Sequence, residues 1–260
     1  MSRIAFKIFN FDIYWYSICI LIGVILAYIL IILESKKHKM DKNEMADLII
    51  YTLLVGILGA RLYYVLFNLE YYLTSPIEIL KIHNGGLAIH GGIIAGLIFL
   101  YYYVQKKDIN LFRVLDIVAP TILLAQAVGR WGNFFNQEAY GSKTTLETLQ
   151  NMHLPNFIIQ GMNINNSYYY PTFLFESILC LIGFILIMVI RNKKKDIRLG
   201  FQIGIYFIWY GILRFFIEIL RQDSLMILNF KMAQFVSIIS ILLGVLLMMR
   251  SKKQEKYYKE

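Results

Sequence analysis

Residues 13–33 read IYWYSICILIGVILAYILIIL, twenty-one residues without a charged side chain. At 1.5 Å of rise per residue, a helix of this length reaches about 30 Å, the thickness of a bilayer's hydrocarbon core. The run is too long for the apolar part of a cleavable signal and lacks a small-residue cleavage site, so it reads as a first membrane span. Six further stretches repeat the pattern: Leu48–Asn68, Gly85–Val104, Leu115–Val128, Thr172–Ile190, Leu199–Leu220 and Met232–Met249. Glycines and a histidine dilute the third. The fourth is short and carries Asp116 and Pro120.

Composition agrees with this reading. Hydrophobic residues make up 58% of the 260, and charged residues only 17%, against about 25% in soluble domains. Mean hydropathy is +0.57. These values exclude a disordered chain and argue against a soluble enzyme, which could not cover so much apolar surface. In a soluble protein the net charge of +9 would point to nucleic acid. Here it reads as basic loops facing anionic lipid, and no nucleic-acid partner is expected.

Lys and Arg placement orients the spans. Of the 26, seventeen fall in the turns 34–47, 105–113 and 191–198 and in the tail 250–260. Seven lie in the alternate segments, and Arg61 and Arg214 lie within spans. The positive-inside rule then places the N-terminus outside and the C-terminus in the cytoplasm after seven crossings. The expectation is an all-α polytopic membrane protein, one integral membrane domain over 1–260. A long polar loop, 129–170, forms a small extracytoplasmic head between the fourth and fifth spans. No internal repeat is visible, so an inverted-repeat transporter lacks its usual support. Cys19 and Cys180 sit in apolar runs without a CxxC or histidine partner, so no metal site or disulfide is expected.

Ionisable groups at membrane depth are costly and mark function. WYGILRFFIEILR places Tyr210, Arg214, Glu218 and Arg221 on one helix face. It reads as an ion pair fixing helix packing, or as an anion site in which Glu218 orients a guanidinium fork suited to phosphate. Two arginines against one glutamate leave that stripe net positive. In GGLAIHGGIIAG, residues 85–96, His90 stands between glycine pairs. It is a packing histidine, or a proton acceptor with space for a ligand beside it. His38, His83 and His153 carry no assigned role. In GRWGNFFNQEAYG, residues 129–141, Arg130, Asn133, Asn136, Gln137 and Glu138 stand among glycines and aromatics. They form an irregular loop with an interfacial aromatic belt, or a site for a phosphate and a glycerol headgroup. Arg61, Asp116 and Glu176 are secondary, each a candidate partner for an arginine or a plain structural residue.

The segment Gly129–Gly141 matches G-R-x-G-N-F-x-N-x-E-x-x-G at all eight fixed positions. In this it resembles the bacterial phosphatidylglycerol–prolipoprotein diacylglyceryl transferases. His90 before its glycine pair, Gly59-x-Arg61 with Tyr64, Tyr210-Gly-x-x-Arg214 with Glu218 and Arg221, and Trp15-Tyr16 resemble that family's other blocks, in order. One block departs: the usual P-[ST]-Q-L-Y-E stands here as Pro171-Thr172-Phe173-Leu174-Phe175-Glu176, keeping the glutamate.

The resemblance implies that the thiol of a prolipoprotein lipobox cysteine attacks a glycerol carbon of phosphatidylglycerol. A thioether forms and glycerol phosphate leaves, the first step of lipoprotein maturation. His90 would be the base and Arg130 and Arg214 the catalytic cations. Arg130, Asn133, Glu138, Gly141, Tyr210, Glu218, Arg221, Tyr16 and Arg61 would bind substrate. The expected partners are phosphatidylglycerol, lipobox signal peptides and membrane lipids, with no metal or organic cofactor. The expected location is the bacterial cell membrane, with the site facing outward. An anion or lipid-headgroup transporter, or a non-catalytic scaffold, are the competing classes.

Overall fold

A computed structural model describes residues 2–9, 11–37, 40–82, 85–194, 196–222, 226–227 and 230–251. His38, His83 and most of the basic tail counted above lie outside these residues. By backbone contacts the chain forms two compact units, residues 1–31 with 115–260, and residues 32–114.

Six helices are long and apolar enough to cross a membrane among the described residues. They are α1 (Trp15–Lys37), α2 (Lys42–Leu66), α5 (Leu111–Asn136), α8 (Thr172–Lys193), α9 (Phe201–Leu220) and α10 (Met232–Ser251). The third expected stretch is also helical, as α4 (Ile89–Lys106). It stands outside the six because His90, the glycines and the polar end Gln105-Lys106 lower its apolar content.

In the smaller unit, α2 opens on an Asp41 cap whose carboxylate accepts the Glu44 and Asn43 amides. Those amide bonds hold the Asp41 carboxyl below its ordinary pKa. Helices α2 and α4 pack through glycine. A Cβ on Gly59 would run into Ala95 and the Gly91 carbonyl, and one on Gly91 into Tyr63. Small residues let membrane helices approach closely where no hydrophobic effect drives them together. A short α3 (Leu69–Thr74) and a 3₁₀ turn (Pro76–Leu80) join these helices.

In the larger unit the N-terminus is a hairpin, β1 (Ile4–Ile8) with β2 (Phe11–Tyr14), which the apolar-run reading did not anticipate. Helix α5 extends eight residues beyond the expected Val128, so Gly129–Asn136 is helix and not loop. The reason is packing. Trp15 stacks on Phe135 at 5.0 Å, and the Tyr16 ring lies against Gly132, where a Cβ would collide with it.

Between α5 and α8 come β3 (Lys143–Thr144), α6 (Leu146–Asn151), α7 (Asn156–Gly161), β4 (Asn163–Ile164) and β5 (Ser167–Tyr169). The strands pair antiparallel in the order β3-β5-β4. Asn165 and Asn166 take positive φ at the tight turn, which two-residue hairpins demand and asparagine tolerates. Phe134, Leu149, Ile158, Met162 and Phe173 form an apolar cluster under this segment. A last hairpin, β6 (Met226–Ile227) with β7 (Phe230–Lys231), precedes α10.

Pro120 within α5 explains a buried polar knot. Proline has no N–H, so the carbonyl four residues back, Asp116, loses its helical donor. The Arg191 guanidinium fills that place, and its Nε donates to Gln202 at 2.5 Å. The Asp116 carboxylate accepts the Gly200 and Ile203 amides at 2.8 and 2.9 Å. Gly200, at φ +91, has no capping side chain of its own. Asp116 therefore caps α9 from a neighbouring helix, where the exposed amides favour an anion.

Candidate functional site

Three helices of the larger unit bring the charged motifs together. Helix α5 supplies Arg130, α8 supplies Glu176 in its second turn, and α9 supplies Tyr210, Arg214 and Glu218. Glu176 grips both cations: Arg130 Nε lies 2.7 Å from one of its oxygens and Arg214 Nη1 2.8 Å from the other. Arg214 Nη2 stands 2.6 Å from Glu218. Arg130 Nη2 donates to the Tyr210 hydroxyl at 3.2 Å.

The cluster has a direction. The Glu176 and Glu218 side chains are 3% and 2% exposed, whereas those of Arg130 and Arg214 are 20% and 19% exposed. The carboxylates are the more deeply buried pair, and the two arginine side chains keep partial exposure. Each guanidinium has five N–H donors. Those not given to Glu176, Glu218 and Tyr210 can meet the oxygens of an anion. The net positive stripe expected on α9 becomes a balanced four-charge cluster, Arg130 and Arg214 against Glu176 and Glu218. The sequence placed Glu176 only among secondary residues, because its partners sit on other helices.

The rest of the signature closes around Arg130. Asn133, one turn beyond, donates to Glu138 at 2.9 Å. The Glu138 amide returns to the Asn133 carbonyl, with Gln137 and Ala139 at positive φ making the turn. Gly141 pairs its backbone with Arg221 in an antiparallel bridge, tying the ends of two motifs. A Cβ on Gly141 would strike Tyr170 and Thr172. Lys231 donates to the carbonyls of Glu218 and Arg221, closing the end of α9. One turn deeper, Gln126 donates to the Tyr206 hydroxyl at 3.4 Å, and Tyr206 stacks on Tyr210. The sequence reading missed this pair. Its signal is the i, i+4 spacing from Arg130 and from Tyr210.

His90 and Arg61 belong to the smaller unit. His90 is exposed in the first turn of α4, its ring 6.4 Å from that of Tyr63. Arg61 is buried, and its guanidinium is taken up by backbone. Nε donates to the Ile79 carbonyl, Nη1 to those of Gly85 and Gly86, and Nη2 to that of Glu78. Tyr72 lies 5.2 Å beneath it. Gly86, at φ +74, leaves no room for a Cβ beside Arg61. Arg61 thus shapes the segment that leads into His90. Among the described residues, no group of three or more His, Cys, Asp or Glu side chains is placed to hold a metal ion.

Buried carboxylates presenting two arginines suit a phosphate or phosphodiester, whose oxygens accept paired N–H donors. The comparisons with known proteins give the family. A family model described as prolipoprotein diacylglyceryl transferase matches residues 3–250. A phosphatidylglycerol–prolipoprotein diacylglyceryl transferase of Streptococcus equi subsp. zooepidemicus is 44% identical over the full length of both chains. One from Lactobacillus delbrueckii subsp. bulgaricus is 43% identical over all of this chain and 95% of its own. One from Staphylococcus aureus is 45% identical over 94% of this chain and 87% of its own.

Proposed function

Because the chain belongs to the prolipoprotein diacylglyceryl transferase family, we propose a reaction for it and a role for each charged side chain. It is a multi-pass membrane transferase that moves the diacylglyceryl group of phosphatidylglycerol onto prolipoprotein, the first step of lipoprotein maturation. The sulfur of the lipobox cysteine attacks the glyceryl carbon bonded to phosphate. A carbon–sulfur bond forms and the carbon–oxygen bond breaks. Its electron pair leaves on the oxygen of glycerol phosphate.

The observation that carries this reading is Glu176 holding Arg130 and Arg214 at 2.7 and 2.8 Å with both arginine side chains partly exposed. Negative charge grows on the departing oxygen, and preorganised cations in a water-poor site stabilise it most. Arg130 and Arg214 take the phosphate. Tyr210, Glu176 and Glu218 fix their orientation. Asn133 and Glu138 meet the glycerol hydroxyls, with Gly141, Arg221 and Tyr16 bordering the lipid. His90 is assigned the base on its chemistry: a free thiol has a pKa near 8.5, and only the thiolate attacks. Arg61 is assigned a positioning role in the segment before His90. The chain crosses the bacterial cell membrane seven times, α4 included, with the N-terminus and the 137–171 segment outside.

The test is a reconstituted transfer assay. Purified protein is mixed with phosphatidylglycerol and a lipobox peptide carrying Cys or Ser. Mass spectrometry is expected to find a diacylglyceryl adduct on the Cys peptide alone, with glycerol phosphate released in equal amount. Folded protein that yields no adduct would move the reading to transport of a lipid or anion. In the same assay His90→Gln is expected to lose about 10²–10⁴-fold in rate, the usual worth of general-base catalysis. Its residual rate should rise with pH as the thiol ionises unaided. A wild-type rate with an unchanged pH profile would remove His90 from the base role.

A further inference from the structure

At the opposite end of α9 from the arginine cluster, the larger unit carries a half-open cavity of about 680 Å³. Arg214 stands thirteen residues from Phe201, about 20 Å along the helix, so the cavity is separate from the site above. Its position follows from packing. Gly204 and Gly244 pin α9 against α10, and a Cβ on Gly204 would strike Met248 and the Gly244 carbonyl. Beside this pin, the α8–α9 turn and the last turns of α10 contribute larger side chains around an open space.

The lining has two chemistries. Phe201, Ile208, Val245, Met248 and Met249 form an apolar wall. Lys194 and Arg198 stand at the rim with Asp196, so that among the described residues the lining carries one positive charge in excess. Lys194 is set there by its contact with Phe201, Nζ lying 5.1 Å from the ring centroid. The volume falls within the range of specific ligand pockets, about 300–1,000 Å³.

We propose that this cavity is a binding site for an anionic phospholipid, distinct from the donor lipid of the reaction. Its phosphate meets Lys194 and Arg198, and the upper part of an acyl chain lies along Ile208, Val245 and Met248. A free phosphate would have no use for the apolar wall, and a neutral lipid none for the cations. Basic pockets between membrane helices on the cytoplasmic side recognise acidic headgroups in this way. The leaflet, cytoplasmic, rests on the orientation proposed above; the site itself does not.

The experiment uses the full chain in phosphatidylcholine nanodiscs doped with phosphatidylserine or phosphatidylcholine bearing a photoreactive acyl chain. Cross-links are mapped by mass spectrometry, and diacylglyceryl transfer is measured on the same preparation after adding phosphatidylglycerol. Phosphatidylserine should label 245–249 several-fold more than phosphatidylcholine, and the preference should shrink as salt screens the rim. The double variant Lys194→Gln/Arg198→Gln should abolish the preference while transfer continues. Equal labelling by the two lipids, no labelling of 245–249, or an unchanged preference in the double variant would each overturn the site. Absent transfer with the preference intact would count against the enzymatic reading alone.

Discussion

Arg130→Ala is expected to cut diacylglyceryl transfer by about 10²–10³-fold, the cost of removing one preorganised donor from a developing oxyanion. The variant should still insert and fold. Glu176 keeps Arg214 at 2.8 Å, so the buried carboxylate retains one counter-charge. Removing every partner from a buried ion costs about 3–5 kcal/mol, and the loss here should fall below that. Thermal unfolding in detergent would measure it.

The companion variant separates charge from packing. In Arg130→Ala/Glu176→Gln the carboxylate left short of charge is gone, and Arg214 still holds Glu218 at 2.6 Å. Stability is expected to recover toward wild type and activity to stay low. Recovery of activity with stability would show that Arg130 only balances Glu176. Turnover of Arg130→Ala near wild type would place the leaving phosphate elsewhere.

The second large effect is on folding. Asp116→Ala should destabilise the protein by about 2–6 kcal/mol, at about 1–3 for each of two buried amides left without an acceptor. Asp116 is fully buried, and without its carboxylate the Gly200 and Ile203 amides lose their acceptor. Arg191, also fully buried, loses a nearby negative charge. Asp116→Asn keeps one acceptor oxygen for an α9 amide and should be milder. Unfolding midpoints of the two variants would rank them, and activity per folded molecule is expected to survive in both. An Asp116→Ala protein as stable as wild type would show that α9 needs no external cap.

The sequence determined which stretches are helical and apolar, because apolar length along a chain is a local property. It also exposed Arg214 and Glu218, because charges inside an apolar run stand out against their neighbours, and Arg130 through the motif of residues 129–141. It placed the end of the fourth stretch at Val128, where the polar segment 129–141 begins. The helix continues there because Tyr16 and Trp15, over a hundred residues earlier, pack against it.

What only the tertiary structure decided is partnership. Glu176 meets Arg214 across 38 residues of chain, and Asp116 reaches the Gly200 amide across 84. No periodicity encodes such pairs. They arise because a charge or an open helix end in an apolar medium must find its complement on whichever helix packs against it. Spacing therefore marked the cations, and packing chose the carboxylate that aims them.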